Sequence, residues 1–247
     1  MRVAFLITGV AVIGALAQTQ AQSPSRWTVW SGVFTAAQSE RGGSLFRDHC
    51  ESCHGAELRG NEGPALVGAA FARNWTGLPV RELFRHIKVA MPEDAPASVS
   101  DADKADILAF IFHSNGFPSG AQRLTANMGE LAAIMFEGRN GPEPPPTGAT
   151  IFAIGCLTTA GPNSWTLTHA AEPVRTTFEA VHDPDVQSGR GMSLGAATLR
   201  LIGVPTTNAQ DGQKVAVVGF MTRAATPTQG DGINVVELSD VPGECPR

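Results

Sequence analysis

Cys50-Glu51-Ser52-Cys53-His54 places two thiols three residues apart with an imidazole directly behind them. That spacing is the C-x-x-C-H signal for covalent haem attachment. Each part has a task. The two thiols add across the two vinyl groups of a haem and fix one ring edge to the chain as thioethers. His54 then sits beneath the ring, where Nε2 can bind the iron as proximal ligand. Two other readings use the same residues: half of a zinc site, or a thioredoxin-like redox pair. Zinc would need a second Cys or His pair close by, and the other cysteines, Cys156 and Cys245, are distant in sequence. A redox pair has no need of the histidine.

A haem held between two faces needs elements before and after the motif. Thr35-Ala36-Ala37-Gln38 has the pattern of a capping box and predicts a helix that carries Leu45 and Phe46 inward and ends at Cys50. Ser100, with Asp103 three residues on, predicts a second helix through Ile107, Phe110 and Ile111 to Asn115-Gly116. Gly42 is small enough for the two helices to cross closely. A further helix is expected over VRELFRHIKVA (80–90), and a short one capped at Asn127.

The sixth position of the iron calls for a ligand on the opposite face. Met91 is the candidate: the segment from His54 is long enough to pass the ring edge, and Pro92 stiffens the chain behind it. A thioether there favours Fe(II) and raises the potential. His86, His113, Met128 and Met135 are the competitors. Core packing accounts for the two methionines, and a helix C-terminus accounts for His113.

The chain ahead of this region supplies a compartment. Arg2 precedes an apolar run, Val3 to Ala17, followed by small and polar residues. This predicts a signal peptide over 1–21 and a periplasmic or secreted protein. An uncleaved anchor is the competing reading, against which stands a run shorter than the roughly 20 residues a span requires. The net charge of −5 shows no basic patch, so a nucleic-acid partner is not expected. Membrane contact is expected only through partners.

The pattern of apolar residues changes period near GRNGPEPPPT (138–147), a stiff Pro-rich stretch. Before it the reading is helical, after it alternating. The fold class expected is therefore an all-α domain followed by an all-β one, with domains at 24–137 and 149–247 and a linker at 138–148. Strands are expected at 150–157, 165–168, 197–204, 214–221 and 233–238, enough for a small barrel or sandwich. In an oxidising compartment Cys156 and Cys245 are expected to pair, with two buried free thiols as the alternative. His169 and His182 have no matching ligands at metal spacing.

From Gly42 to Gly116 the chain resembles the class I c-type cytochromes. Gly42 and Phe46 match the glycine and aromatic of the first helix, followed by Cys50, Cys53 and His54. Gly63-Pro64-Ala65-Leu66 matches the loop whose proline carbonyl accepts a bond from the proximal histidine. Met91-Pro92 matches the axial methionine, and Ile107 and Phe110 match the last helix. WSGVFTAAQ, FARNW, MPEDAP and NGFPSG are similar to cytochrome modules of periplasmic quinoprotein dehydrogenase systems. The second half resembles small OB-like modules of exported bacterial proteins, through LIGV, VAVVGF, INVVEL and ECP. The resemblance implies one covalent haem c, liganded by His54 and Met91. Trp75, Arg59 and Arg73 are candidates for the haem propionates; core packing for Trp75 and a solvated surface role for the arginines stand beside that. It implies an electron carrier rather than an enzyme, taking electrons from a periplasmic dehydrogenase or a quinol-oxidising complex and passing them to an oxidase or another cytochrome. The alternative is a haem sensor or peroxidase-like enzyme with a labile sixth position. The two halves are expected to be separable.

Overall fold

The computed structural model of the chain describes residues 27–177, 192–204, 209–226 and 229–246. The expected signal peptide and His182 lie outside the described residues. Among those described, no helix is long and apolar enough to cross a membrane.

Helix α1 (Ala36–His49) opens at Thr35 with both halves of the capping box made, the Thr35 side chain accepting from the Gln38 N–H and the Gln38 side chain accepting from the Thr35 N–H. A one-turn helix α2 (Glu51–His54) follows, then α3 (Gly68–Trp75) and α4 (Val80–Ala90). A 3₁₀ turn at Pro96–Ser98 leads into α5 (Asp101–Ser114), whose N-cap Ser100 accepts from the Asp103 N–H. The short α6 (Met128–Ala132) is capped by Asn127, which accepts from the N–H groups of Gly129 and Glu130.

Helices α1 and α5 cross at Gly42. A Cβ built there would lie 1.8 Å from the Asp106 carbonyl oxygen, so only glycine permits this approach. Around the crossing Phe34, Phe46, Phe84, Leu108 and Phe112 are almost wholly buried. Phe112 also meets Phe117 and Phe136 edge-on at 5.7 and 5.5 Å.

The expectation of an all-α first half needs one correction. Two short strands, β1 (Trp27–Thr28) and β2 (Ile134–Met135), pair in parallel and tie the start of the described chain to the segment before the Pro-rich stretch. Two-residue strands are too short to carry an alternating pattern.

After residue 148 the chain is sheet. Strands β3 (Thr150–Gly161), β4 (Ser164–Ala170), β5 (Val174–Arg175), β6 (Ala197–Ile202), β7 (Lys214–Thr222) and β8 (Gly232–Asp240) lie in the order β4-β6-β8-β7-β3-β5, and β4 also pairs with β3. All pairings are antiparallel except β6 with β8. β3 is buried along both faces. Ile151, Ala153 and Leu157 join one apolar cluster, while Phe152 and Ile154 join a second with Ala216, Val218 and Val241. Cys156 is joined to Cys245, and Val241 donates its N–H to the Lys214 carbonyl, so the tail lies along the sheet.

The two halves touch. Arg175, on β5, donates through Nη1 to the carbonyls of Arg73 (2.9 Å) and Thr76, and through Nη2 to that of Asn74 (3.2 Å). These are carbonyls at the end of α3, which the helix itself leaves without partners. The Thr177 hydroxyl donates to Glu82 on α4 at 3.0 Å. A cleft of about 830 Å³ lies beside these contacts, lined from both halves and by the prolines at 142, 144 and 145.

Candidate haem site

Cys50 closes α1, its N–H bonded to the Phe46 carbonyl at 2.8 Å, and the chain turns at once into α2. One turn later the His54 N–H returns to the Cys50 carbonyl at 3.0 Å. A four-residue helix leaves its last carbonyls unpartnered. The following loop supplies the donors: Gly60 N–H reaches the His54 carbonyl at 2.9 Å, and Gly63 N–H reaches that of Cys53 at 2.8 Å. The motif is thus held by backbone on both sides.

The His54 ring is 8% exposed, and its Nδ1 lies 2.8 Å from the Pro64 carbonyl oxygen. A carbonyl can only accept, so Nδ1 carries the proton and the lone pair is on Nε2. Nε2 makes no hydrogen bond among the described residues. Gly63 presses on the ring: a Cβ there would come within 2.9 Å of Cε1. The loop residues 63 and 64 therefore fix both the tilt and the tautomer of the imidazole. A fixed Nδ1–H···O=C bond is the usual way a metal-binding histidine is oriented and made more basic.

Cys50 is half-buried and Cys53 exposed, both as free thiols, while Cys156 and Cys245 are paired. Burial, and then the neighbouring Cys53 sulfur, push the Cys50 thiol up to about 11. Among the described residues no three His, Cys, Asp or Glu side chains converge as a metal site would need, so nothing there completes a zinc shell around the two thiols.

Met91 is the C-cap of α4, in extended backbone, its N–H bonded to the Ile87 carbonyl at 3.1 Å. It packs against the helical core but stays partly exposed, as do Cys50, Leu66, Val67 and Trp75. Half-covered apolar groups on the helical core, together with an imidazole nitrogen without a hydrogen bond among the described residues and two free thiols, are a set that fits a flat apolar cofactor, so these residues suit haem. The other sulfurs have different surroundings. Met128 lies in α6 against the core, and Met135 lies in β2, where it lines the cleft between the halves. His86 is exposed on α4 with its ring 6.4 Å from that of Trp75, and His113 is exposed near the end of α5.

The propionate candidates fare differently. Trp75 ends α3, half-buried against the core. The Arg59 side chain is 79% exposed and bonded to Glu57 at 2.9 Å. The Arg73 side chain is exposed, and its carbonyl, rather than its guanidinium, takes part in structure by accepting from Arg175.

Two contributors were not foreseen. Asn115 donates to the Leu66 carbonyl (2.9 Å) and accepts from the Gly68 N–H (3.1 Å), fixing the 66–68 segment to the end of α5. Asn115-Gly116 reads in the sequence only as a helix stop, and nothing in a stop signal tells what else the amide holds. Lys104 is buried behind the Met91 segment, donating to the carbonyls of Lys88 and Pro96. The only signal was a lysine on the apolar side of α5.

A family model described as "Cytochrome C oxidase, cbb3-type, subunit III" matches residues 37–111, from the first turn of α1 into α5. That span holds Cys50, Cys53, His54, Pro64, Met91 and Lys104. Comparison with curated proteins and with solved structures finds no match. The match over residues 37–111 supports a c-type cytochrome domain, and with it haem c and electron transfer, ahead of a sheet-rich remainder.

Proposed function

We propose that this chain is an exported monohaem electron carrier, with haem c bound covalently through Cys50 and Cys53 and liganded by His54 and Met91. The observation that carries the reading is His54: Nδ1 is held by the Pro64 carbonyl and Nε2 is left free beside two free thiols. When bound, the haem supplies a one-electron Fe(III)/Fe(II) couple. The chain's own work is positional. Cys50 and Cys53 fix one edge of the ring, Pro64 and Gly63 fix the imidazole, and Met91 offers a soft sulfur that favours the reduced state. No proton is moved and no nucleophile is required. The close crossing at Gly42 and the buried aromatic cluster keep both ligand-bearing segments on a rigid base, which keeps reorganisation on electron transfer small.

The donor in this proposal is a periplasmic dehydrogenase or a quinol-oxidising complex. The acceptor is an oxidase or another cytochrome. Charges near the Met91 segment are mixed (Arg85, Lys88, Glu93, Asp94), so the partner's sign is left open. Export through a signal peptide at 1–21 belongs to the same proposal. The second half, 149–247, is read as an OB-like barrel that docks the carrier on a partner. The ring of pairings β3-β4-β6-β8-β7-β3 supports a closed barrel. Denaturing mass spectrometry of the protein matured with haem-attachment machinery is expected to find one added haem, lost in the Cys50→Ala/Cys53→Ala variant. Matured protein without covalent haem would refute the reading.

A further inference from the structure

Lys104 stands in the first turns of α5 and is 2% exposed. A buried ammonium is destabilising unless its protons find acceptors. Nζ donates to the Lys88 carbonyl at 3.0 Å and to the Pro96 carbonyl at 2.6 Å. These acceptors flank Met91 in the chain. Lys88 lies in the last turn of α4, where carbonyls lack helical partners and the helix dipole favours a cation. Pro96 opens the 3₁₀ turn beyond the methionine. One buried charge on α5 therefore pins both ends of the segment 88–96. Between the anchors the segment is tied by short-range bonds, from Met91 N–H to Ile87 and from Ala95 N–H to Pro92. At the surface, the Lys88 side chain pairs with Asp101 at 2.6 Å, both about half exposed.

Resting on the reading of Met91 as axial ligand, we propose that Lys104 is a positioning residue for that ligand: its ammonium clamps the two ends of the methionine segment and holds the sulfur at the iron. A cation filling space in the core would be replaceable by an apolar side chain of similar length with little consequence, as buried charges often are. A clamp is not replaceable in this way, because the two carbonyls lose the buried donor they share and the segment opens. A single hydrogen bond to a charged group is worth about tenfold or more in an equilibrium, so the opening should be affected by at least that factor.

The test uses the full haem-loaded protein in its ferric state with imidazole as the probe. Imidazole takes the sixth position only after the methionine segment opens, so its limiting binding rate reports the opening. Lys104→Met is expected to raise that rate tenfold or more. Lys88→Met, which removes only the exposed pair, is expected to change it by less than threefold. In the wild-type protein, amide exchange at Met91, Ala95 and Ser98 is expected to be as slow as in α4. Lys104→Met within twofold of wild type overturns the proposal. Should that variant not fold, free exchange at Met91, Ala95 and Ser98 in the wild type beside protected α4 amides overturns it equally. Met91→Ala tests the ligand itself and is expected to bind imidazole without the opening step. A wild-type rate there overturns the Met91 reading, and this proposal with it. Fast binding by Met91→Ala beside an unchanged Lys104→Met overturns the Lys104 clamp alone.

Discussion

Gly42→Ala and Gly43→Ala place the same methyl group at adjacent positions of α1 and should differ sharply. At Gly42 the new Cβ would lie 1.8 Å from the Asp106 carbonyl oxygen, 2.4 Å from its carbon and 3.0 Å from the Ile107 nitrogen. The shortest of these is roughly 1.5 Å inside ordinary contact, and all three atoms are backbone, so no rotamer change relieves them. The helices must part. Parting them loosens Phe46 and Ile107, and it pulls Asp106 from Gln38 and Arg41, each bonded to it at 2.8 Å. A backbone clash of this kind belongs at or above the upper end of overpacking, about 3–5 kcal/mol, from which alanine's better helix propensity recovers about 1 kcal/mol. The expected loss is about 2–4 kcal/mol, a large share of a small domain's stability. At Gly43 the Cβ meets only the Phe110 ring, at 3.2 Å. A ring on a half-buried side chain can yield by a few tenths of an ångström, and the gain in propensity offsets that within about 1 kcal/mol. Urea titration of the haem-loaded protein, followed by the haem band and by far-UV dichroism, measures both. If Gly42→Ala lies within about 0.5 kcal/mol of Gly43→Ala, the crossing is not limited by that contact and the reasoning is refuted.

Met91→Ala should lower the reduction potential and let carbon monoxide bind the ferrous form; an unchanged potential and low-spin spectrum would return the ligand question to His86 and His113. Replacing both Cys156 and Cys245 by alanine reopens a loop of 89 residues and should destabilise the sheet half by up to about 4–5 kcal/mol in the chain-entropy account, with the haem band keeping its position; calorimetry of this variant beside the wild type checks this. A chain ending at Gly138 should keep the haem spectrum, since every proposed ligand precedes that point, yet unfold more readily because α3 loses Arg175. Arg175→Ala in the full chain should reproduce most of that loss, about 2 kcal/mol for charge-assisted bonds that are partly solvent-screened, and a loss below about 0.5 kcal/mol would show that the halves are coupled elsewhere.

The helices that frame the site were legible because their signals are local. Thr35 with Gln38, Ser100 with Asp103 and Asn127 with Glu130 each announce a helix start within four positions, and the structure opens α1, α5 and α6 at those places. α3 carried no such signal: its N-cap is Val67, which has no side chain to accept a bond, and its start depends on Asn115, 47 residues away. The five expected strands are present with shifted ends. β6 stops at Ile202 rather than at residue 204, because Gly203 turns the chain with φ of +76°. β3 continues past Leu157, because Thr158 and Thr159 pair with Thr166 and Trp165 in a hairpin beyond the apolar core, where hydrophobic period gives no guide. β5 is two residues long, and nothing in Val174-Arg175 distinguishes it from loop.

Charged residues were the hardest to place, and the same physics explains each case. Asp106, Lys104 and Arg175 sit where a sequence reading expects solvent. Each is instead held by partners distant in the chain: Gln38 and Arg41 for Asp106, the Lys88 and Pro96 carbonyls for Lys104, and the end of α3 for Arg175. Lys104 and Arg175 share a further feature, since both supply donors to carbonyls near a helix C-terminus, where the backbone leaves acceptors over and the dipole favours a cation. Those two helices are α3, which bears Trp75, and α4, which bears Met91. Helix α4 is thus pinned from α5 and also bonded to the sheet half through Thr177, and α3 is pinned from the sheet half. A change in the sheet half, such as a partner binding beside β5, would reach the haem surroundings through Arg175 and α3 before it reached His54, whose supports all lie between residues 50 and 64. The two proposed axial ligands are accordingly expected to differ in their response to such a change, the histidine side remaining fixed and the methionine side shifting.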